Sequence, residues 1–278
     1  MVMTTKFPIA ILDSGIGGIS VWQEVRRLLP EESILYLADQ AHLPYGCRTL
    51  AEVRGLSLAC CRFFLSQHAK LIVLACNTAS AAALRELREA FPHVRFVGME
   101  PAVKPAAEST RTGKVVVLAT EATFQGQLFA SVVERFAEGV EVRRQICPGL
   151  VEKIEAGEAD SPEVEAMLRA WLAPHLEAGA DCVVLGCTHY PLAQVALERA
   201  VAGRARIIAP AAAVARQVRR VLEQEGKIAP PGKPRLYFYT TARDGVAAFQ
   251  RQLRWWIAEP CEIMSAHWRN GEIELSAP

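Results

Sequence analysis

Cysteine pairs at CxxC spacing are absent from this chain, and so is any excess of one charge. Eight cysteines in 278 residues are too sparse for a disulfide scaffold and read as free thiols of a reducing compartment. Without CxxC the commonest zinc and thioredoxin-like patterns fall away. Cys187-Thr188-His189 is then the only close Cys/His pair, weak ground for a metal, and none is expected. Lys plus Arg total 31 against 30 Asp plus Glu, so a net charge of +1 offers no basic field for nucleic acid and no single-sign cluster for a membrane surface. No apolar run reaches the roughly 18 residues that span a bilayer. The amino terminus, MVMTTKFPIAILDSG, has one lysine and a short apolar stretch that Asp13 interrupts, too little for a signal segment. Low-complexity segments are missing as well. The expectation is a soluble protein that stays in the cytoplasm.

What is present is enough for a large core. With 51% apolar residues over 278 positions the chain can bury roughly 75% of its unfolded surface, and its length suggests two domains. Short apolar, β-branched runs alternate with stretches of helical period. PIAILD, SILYLAD and KLIVLAC are separated by helical patterns over 21–29 and 51–68, with another over 79–90; HVRFVGME, KVVVLAT, VEVRRQIC, DCVVLGC, ARIIA and RLYFYTT continue the alternation. Continuous apolar strands between helices indicate parallel sheets covered on both faces, so the fold class is α/β. MEPAVKPAAE (99–108) and IAPAAAVA (208–215) read as the crossings between domains.

The chain nearly repeats itself: AKLIVLACNT (69–78) aligns with ADCVVLGCTH (180–189) at Ala, Val, Leu and Cys. Each copy puts a cysteine just past the carboxyl end of a buried strand, where open α/β sheets form their ligand crevices. Cys60, Cys61, Cys147, Cys182 and Cys261 read as small buried hydrophobes. Cys76 and Cys187 differ, because Asn77-Thr78 and Thr188-His189 follow them and could cap helices whose amino termini lower a thiol pKa and bind anions. His189, two residues beyond its thiol, is a plausible proton partner. Glu152, in CPGLVEKIEAG, gains no privilege from spacing alone.

ILDSGIGG (11–18) has two readings. Gly15-x-Gly17-x-x-Ser20 falls one residue short of a dinucleotide fingerprint, with Asp39 at the end of the next strand as the ribose-binding acid. Against this, Ser20 replaces the third glycine and Asp13 sets a negative charge beside the supposed pyrophosphate. The alternative is that the glycines let backbone N–H groups approach a small carboxylate while Asp13 holds a cation or accepts a proton.

Taken together, DSGIGG (13–18), ADQAHLPYG (38–46), ACNTAS (75–80), EP-x-x-KPAA (100–107) and GCTHYP (186–191) resemble the cofactor-independent aspartate/glutamate racemase superfamily, glutamate racemases in particular. That resemblance implies two pseudosymmetric α/β domains, 1–98 plus 212–278 and 99–211, with the active site in the cleft between them. It implies Cys76 and Cys187 as the two acid/base thiols, Asp13 assisting Cys76, and His189 and Glu152 assisting Cys187. Ser14, Tyr45, Gly46, Asn77, Thr78, Thr120, Thr123 and Thr188 would hold the substrate. The chain departs from the family pattern at Gly126, where members commonly show serine, and along 208–215, which is almost wholly apolar.

The chemistry suits such a pair. Inverting an amino acid removes the Cα proton from one face and returns one to the other, which needs two groups in opposite protonation states. A cysteine of ordinary pKa, about 8.5, is only a few per cent thiolate at neutral pH, so its neighbours must raise that fraction for one thiol while the other stays protonated. No cofactor is expected, and the ligand is expected to be a small acidic amino acid, with a homodimer left open. Aspartate racemisation, or a non-catalytic regulator binding a nucleotide or small acid on the same fold, are the alternatives.

Overall fold

The apolar runs quoted above all become strands, and the computed structural model describes them within residues 7–243 and 245–275. Residues 1–6, part of the stretch read for a targeting signal and the start of the expected first domain, and 276–278, the end of that domain's second segment, lie outside the described residues. In chain order the strands are β1 (Ile9–Asp13), β2 (Ile34–Ala38), β3 (Leu71–Leu74), β4 (Phe96–Gly98), β5 (Lys114–Ala119), β6 (Glu141–Ile146), β7 (Cys182–Gly186), β8 (Arg206–Ile208), β9 (Leu236–Thr240), β10 (Glu262–Arg269) and β11 (Glu272–Leu275). The helices are α1 (Ile19–Leu28), α2 (Leu50–Ser66), α3 (Asn77–Ala90), α4 (Val103–Ser109), α5 (Glu121–Gln125), α6 (Gln127–Phe136), α7 (Leu150–Glu155), α8 (Pro162–Glu177), α9 (Gln194–Val201), α10 (Ala211–Gln224) and α11 (Gly245–Leu253).

Every residue of β1, β2, β3 and β7 is buried, as strands covered on both faces must be. A seven-stranded sheet runs β11-β10-β9-β2-β1-β3-β4 and a four-stranded one β6-β5-β7-β8. All pairings are parallel except β10 with β11. The order β2-β1-β3-β4 recurs as β6-β5-β7-β8, so the near-repeat in sequence is a repeat of topology. β3 and β7 are the equivalent third strands of the two halves, which puts Cys76 and Cys187 at equivalent ends. An apolar cluster that holds Ile11 and Tyr36 also holds Val116 and Leu185, joining the inner faces of both sheets.

The expected crossings are only partly linker. Residues 103–109 form α4, and α10 opens at Ala211 with Pro210 as its cap. The apolar run at 208–215 has a packing reason: Ala211, Val214, Ala215, Val218 and Leu222 are the buried stripe of α10, which lies against α1. Past β9 the alternation continues through α11 to the parallel strand β10 and then ends in an antiparallel hairpin with β11, turned at Asn270 and Gly271 with φ of 49° and 80°. Among the described residues no helix is long and apolar enough to cross a membrane.

Candidate active site

The carboxyl ends of β1, β3, β5 and β7 meet, and the candidate residues stand there. Asp13 closes β1, Thr120 follows β5, and Cys76 and Cys187 follow β3 and β7. Cys76 and Cys187 are 5% and 7% exposed and Asp13 is fully buried, so whatever chemistry occurs here is shielded from bulk water. Cys76 caps α3, its Sγ accepting from the Ala79 N–H at 3.4 Å. The expected lowering of its pKa by that helix end does not follow. Burial pushes the Cys76 thiol well up, the negative charge of Asp13 adds to the effect, and Cys187 lies close enough to contribute.

At the other thiol, His189 Nδ1 is 3.9 Å from Cys187 Sγ, and His189 Nε2 is 2.7 Å from Glu155 Oε1. Burial alone would lower the His189 pKa. The hydrogen bonds to Cys187 and Glu155, with the charge of Asp13, outweigh it and hold the imidazole well above its usual value. Glu155 is also opposed by burial, yet the contacts with His189, Ile16 and Gln40 bring it below the ordinary carboxylate range. His189 and Glu155 therefore form a buried ion pair, with side chains 2% and 8% exposed, and the imidazolium presents its second N–H to the Cys187 sulfur.

Glu152 is corrected by this geometry. It is exposed, one turn back on α7, whereas Glu155 is the last residue of that helix, where it runs into the 14–18 loop. Two acids three residues apart share the helix, and only the tertiary packing distinguishes them.

The glycines of 15–18 answer to the same pair. A Cβ on Gly15 would lie 1.9 Å from Glu155 Oε1, and one on Gly17 would lie 2.4 Å from His189 Nδ1. The carboxylate that the loop N–H groups approach is thus the protein's own: Ile16 N–H donates to Glu155 Oε1 at 2.6 Å, and Gly15 N–H to Asp13 Oδ1 at 2.9 Å. Ser20, at the third glycine position of the dinucleotide reading, ties Gly17 O at 2.9 Å to Thr188 O at 3.3 Å. Asp39, the supposed ribose acid, accepts from Tyr45, Thr241 and Trp268 at 2.6–2.7 Å. Gly17→Ala is expected to displace the His189 ring, read from the chemical shifts of that imidazole by NMR.

The remaining candidates divide. Ser14 is buried, and the Thr188 hydroxyl donates to Asp13 Oδ2 at 2.8 Å; burial raises the Asp13 pKa, and the His189 charge, the Gly15 N–H and the Thr188 hydroxyl offset it only in part. Thr78, Thr120 and Thr123 form a ring of hydroxyls at 2.9–3.2 Å. Asn77 is 3% exposed, and neither atom of its amide has a hydrogen-bond partner, so it can take a ligand. The phenol of Tyr45 points to Asp39 instead, while the neighbouring Gly46 lies against Thr120. Gly126 has a steric reason: its Cβ would lie 2.7 Å from that of Ala81. Residues that the sequence did not single out are Glu155, Gln40 and Gln252.

The family model for Asp/Glu/Hydantoin racemase matches residues 19–218, from α1 into α10. The chain belongs to the Asp/Glu/hydantoin racemase family. Among its relatives, a glutamate racemase from Roseiflexus sp. (strain RS-1) is 56% identical over 220 residues, 79% of this chain and 80% of that one. Two solved structures superpose over nearly the whole length. A glutamate racemase isoform from Bacillus anthracis has TM-score 0.85 at 29% identity, covering 96% of this chain and 99% of that chain. The Escherichia coli glutamate racemase solved with L-glutamate has TM-score 0.81 at 32% identity, covering 93% and 97%. Within the family range fall Cys76, Glu155, Cys187 and His189; Asp13 lies just before it.

Proposed function

We propose that this chain is a glutamate racemase that interconverts L- and D-glutamate by two-base transfer of the Cα proton, supplying D-glutamate for peptidoglycan. The observation that carries the reading is the pair of thiols at equivalent strand ends with unequal surroundings. Cys187 faces a buried imidazolium, while burial and Asp13 keep Cys76 protonated. One thiol is thereby prepared as base and the other as acid, and passage of the proton exchanges their roles. The carbanionic intermediate would be held by donors on the substrate carboxylates, for which the free amide of Asn77 and the hydroxyls of Thr78, Thr120, Thr123 and Thr188 are suited, in a site that excludes water.

The two sheets support a division into 1–98 plus 212–278 and 99–211, with the substrate entering by movement of one lobe against the other at Glu100-Pro101 and Ala209-Pro210. The expected partner is a small acidic amino acid in the cytoplasm. In D₂O, either enantiomer of glutamate is expected to gain deuterium at Cα and to approach a racemic mixture, followed by circular dichroism and mass. Aspartate run in parallel should react far more slowly, and a faster reaction with aspartate would transfer the assignment to that substrate.

A further inference from the structure

The Glu155 carboxylate is held from both halves of the molecule. Oε1 accepts from Ile16 N at 2.6 Å and from His189 Nε2 at 2.7 Å. Oε2 accepts from Gln40 Nε2 at 3.0 Å and from Gln252 Nε2 at 3.2 Å, while Gln252 Nε2 also donates to the Glu155 carbonyl at 2.8 Å. Four donors use the acceptor sites of an ionised carboxylate, and a protonated acid could not accept them all. His189 and Glu155 follow β7 and β6; Ile16, Gln40 and Gln252 belong to segments that follow β1, β2 and β9.

The orientation of the Gln40 amide is fixed by its own neighbours. Thr240 Oγ1 accepts from Ala242 N–H at 2.9 Å, which leaves its proton for Gln40 Oε1 at 2.8 Å. The Gln40 NH₂ must then turn to Glu155, and it also donates to Gln252 Oε1 at 2.9 Å. No step of proton transfer needs Gln40, since it touches neither thiol, yet its amide donates both to the acid that orients His189 and to Gln252, which holds the same acid.

We propose that Gln40 is a positioning residue: with Gln252 it clamps the Glu155 carboxylate from the first half of the molecule, fixing the His189–Cys187 relay only when the two halves are docked. The inference rests on the racemase reading for its kinetic consequences. The clamp couples lobe closure to proton transfer, because opening the lobes removes the donors that fix the Glu155 carboxylate and, through it, the alignment of His189. The other charged groups near Glu155 are Asp13, across His189, and Asp160 and Arg251, which line the neighbouring cavity of about 610 Å³.

The test is Gln40→Leu, with Gln252→Leu as the second variant should the first fold poorly. Either is expected to lower kcat with glutamate about tenfold while KM changes less than about twofold. The acidic limb of the kcat profile should move to higher pH, because a carboxylate that loses donors to its charged form becomes a weaker acid. A titration of the Glu155 carboxyl by ¹³C NMR should shift the same way in the variant, a readout that needs no turnover. Should wild-type protein fail to racemise glutamate, the function is wrong but the NMR titration still decides the clamp. Unchanged kcat and pH limb in a folded variant, or a fall in kcat with no shift in the Glu155 titration, would overturn it.

Discussion

Replacing either Cys76 or Cys187 by alanine is expected to lower racemisation by about 10³-fold or more, near the upper end of what one general acid or base contributes. The two losses should look alike in racemisation and differ in hydrogen exchange. With Cys187 gone, Cys76 still faces the enantiomer whose Cα proton it would abstract, so that enantiomer can exchange with D₂O without inverting; with Cys76 gone, the other enantiomer should. The surroundings set the sizes apart. Cys187 is supported by the His189 imidazolium, whereas Cys76 has burial and Asp13 against its thiolate. Residual exchange should therefore be the greater in Cys76→Ala. Exchange is measured by the mass of recovered enantiomers, and full racemisation by either variant removes the two-thiol mechanism.

Much of the fold was legible because its signal is local. Continuous apolar runs such as IAILD and CVVLG can be satisfied only between two covering layers, and both became fully buried parallel strands. The repeat of AC and GC at strand ends foretold the repeated sheet order. The terminal hairpin is harder to read although Asn270-Gly271 is a strong turn signal, because β10 mixes polar with apolar residues: Ile263, Met264 and Ser265 are half-buried and Ala266 buried, while Glu262, His267 and Arg269 are exposed. At 99–108 and 208–215 proline and alanine suggest crossings between domains, but proline near a helix start does not prevent the helix that follows, and α4 and α10 begin within them, α10 packing against α1. The helix end at Cys76 was visible in sequence; the desolvation that overrides it is a property of the closed site.

The site was legible in its thiols and not in what orients them. Glu152 and Glu155 are equal in composition and lie on one short helix, and what separates them is contact with Ile16, Gln40 and Gln252, far away in sequence. The glycines at 15 and 17 were visible as a loop that invites a carboxylate, and they do admit one, supplied by the other half of the chain.

Glu155→Gln is expected to reduce turnover by about 10²-fold in the direction that needs the Cys187 thiolate, while Glu152→Gln leaves it near wild type. The amide keeps the shape of the side chain and removes its charge. Burial then dominates His189, whose pKa falls, and the neutral ring no longer stabilises the sulfur anion. The alkaline limb of the rate profile should consequently move to lower pH. Stability gives a second readout with a definite sign. His189 is raised above its unfolded value near 6.5, so its contribution is complete below that pH and is lost as pH rises through the folded value. Glu155 is lowered from 4.5, so its contribution is present above that pH and is lost as pH falls through the folded value. The pair thus strengthens the wild-type fold across the neutral range, and Glu155→Gln should show a lower urea midpoint there with little difference in strong acid. A variant at 152 that is crippled, beside one at 155 that is not, would return the assisting role to Glu152 and remove the ion pair from the reaction.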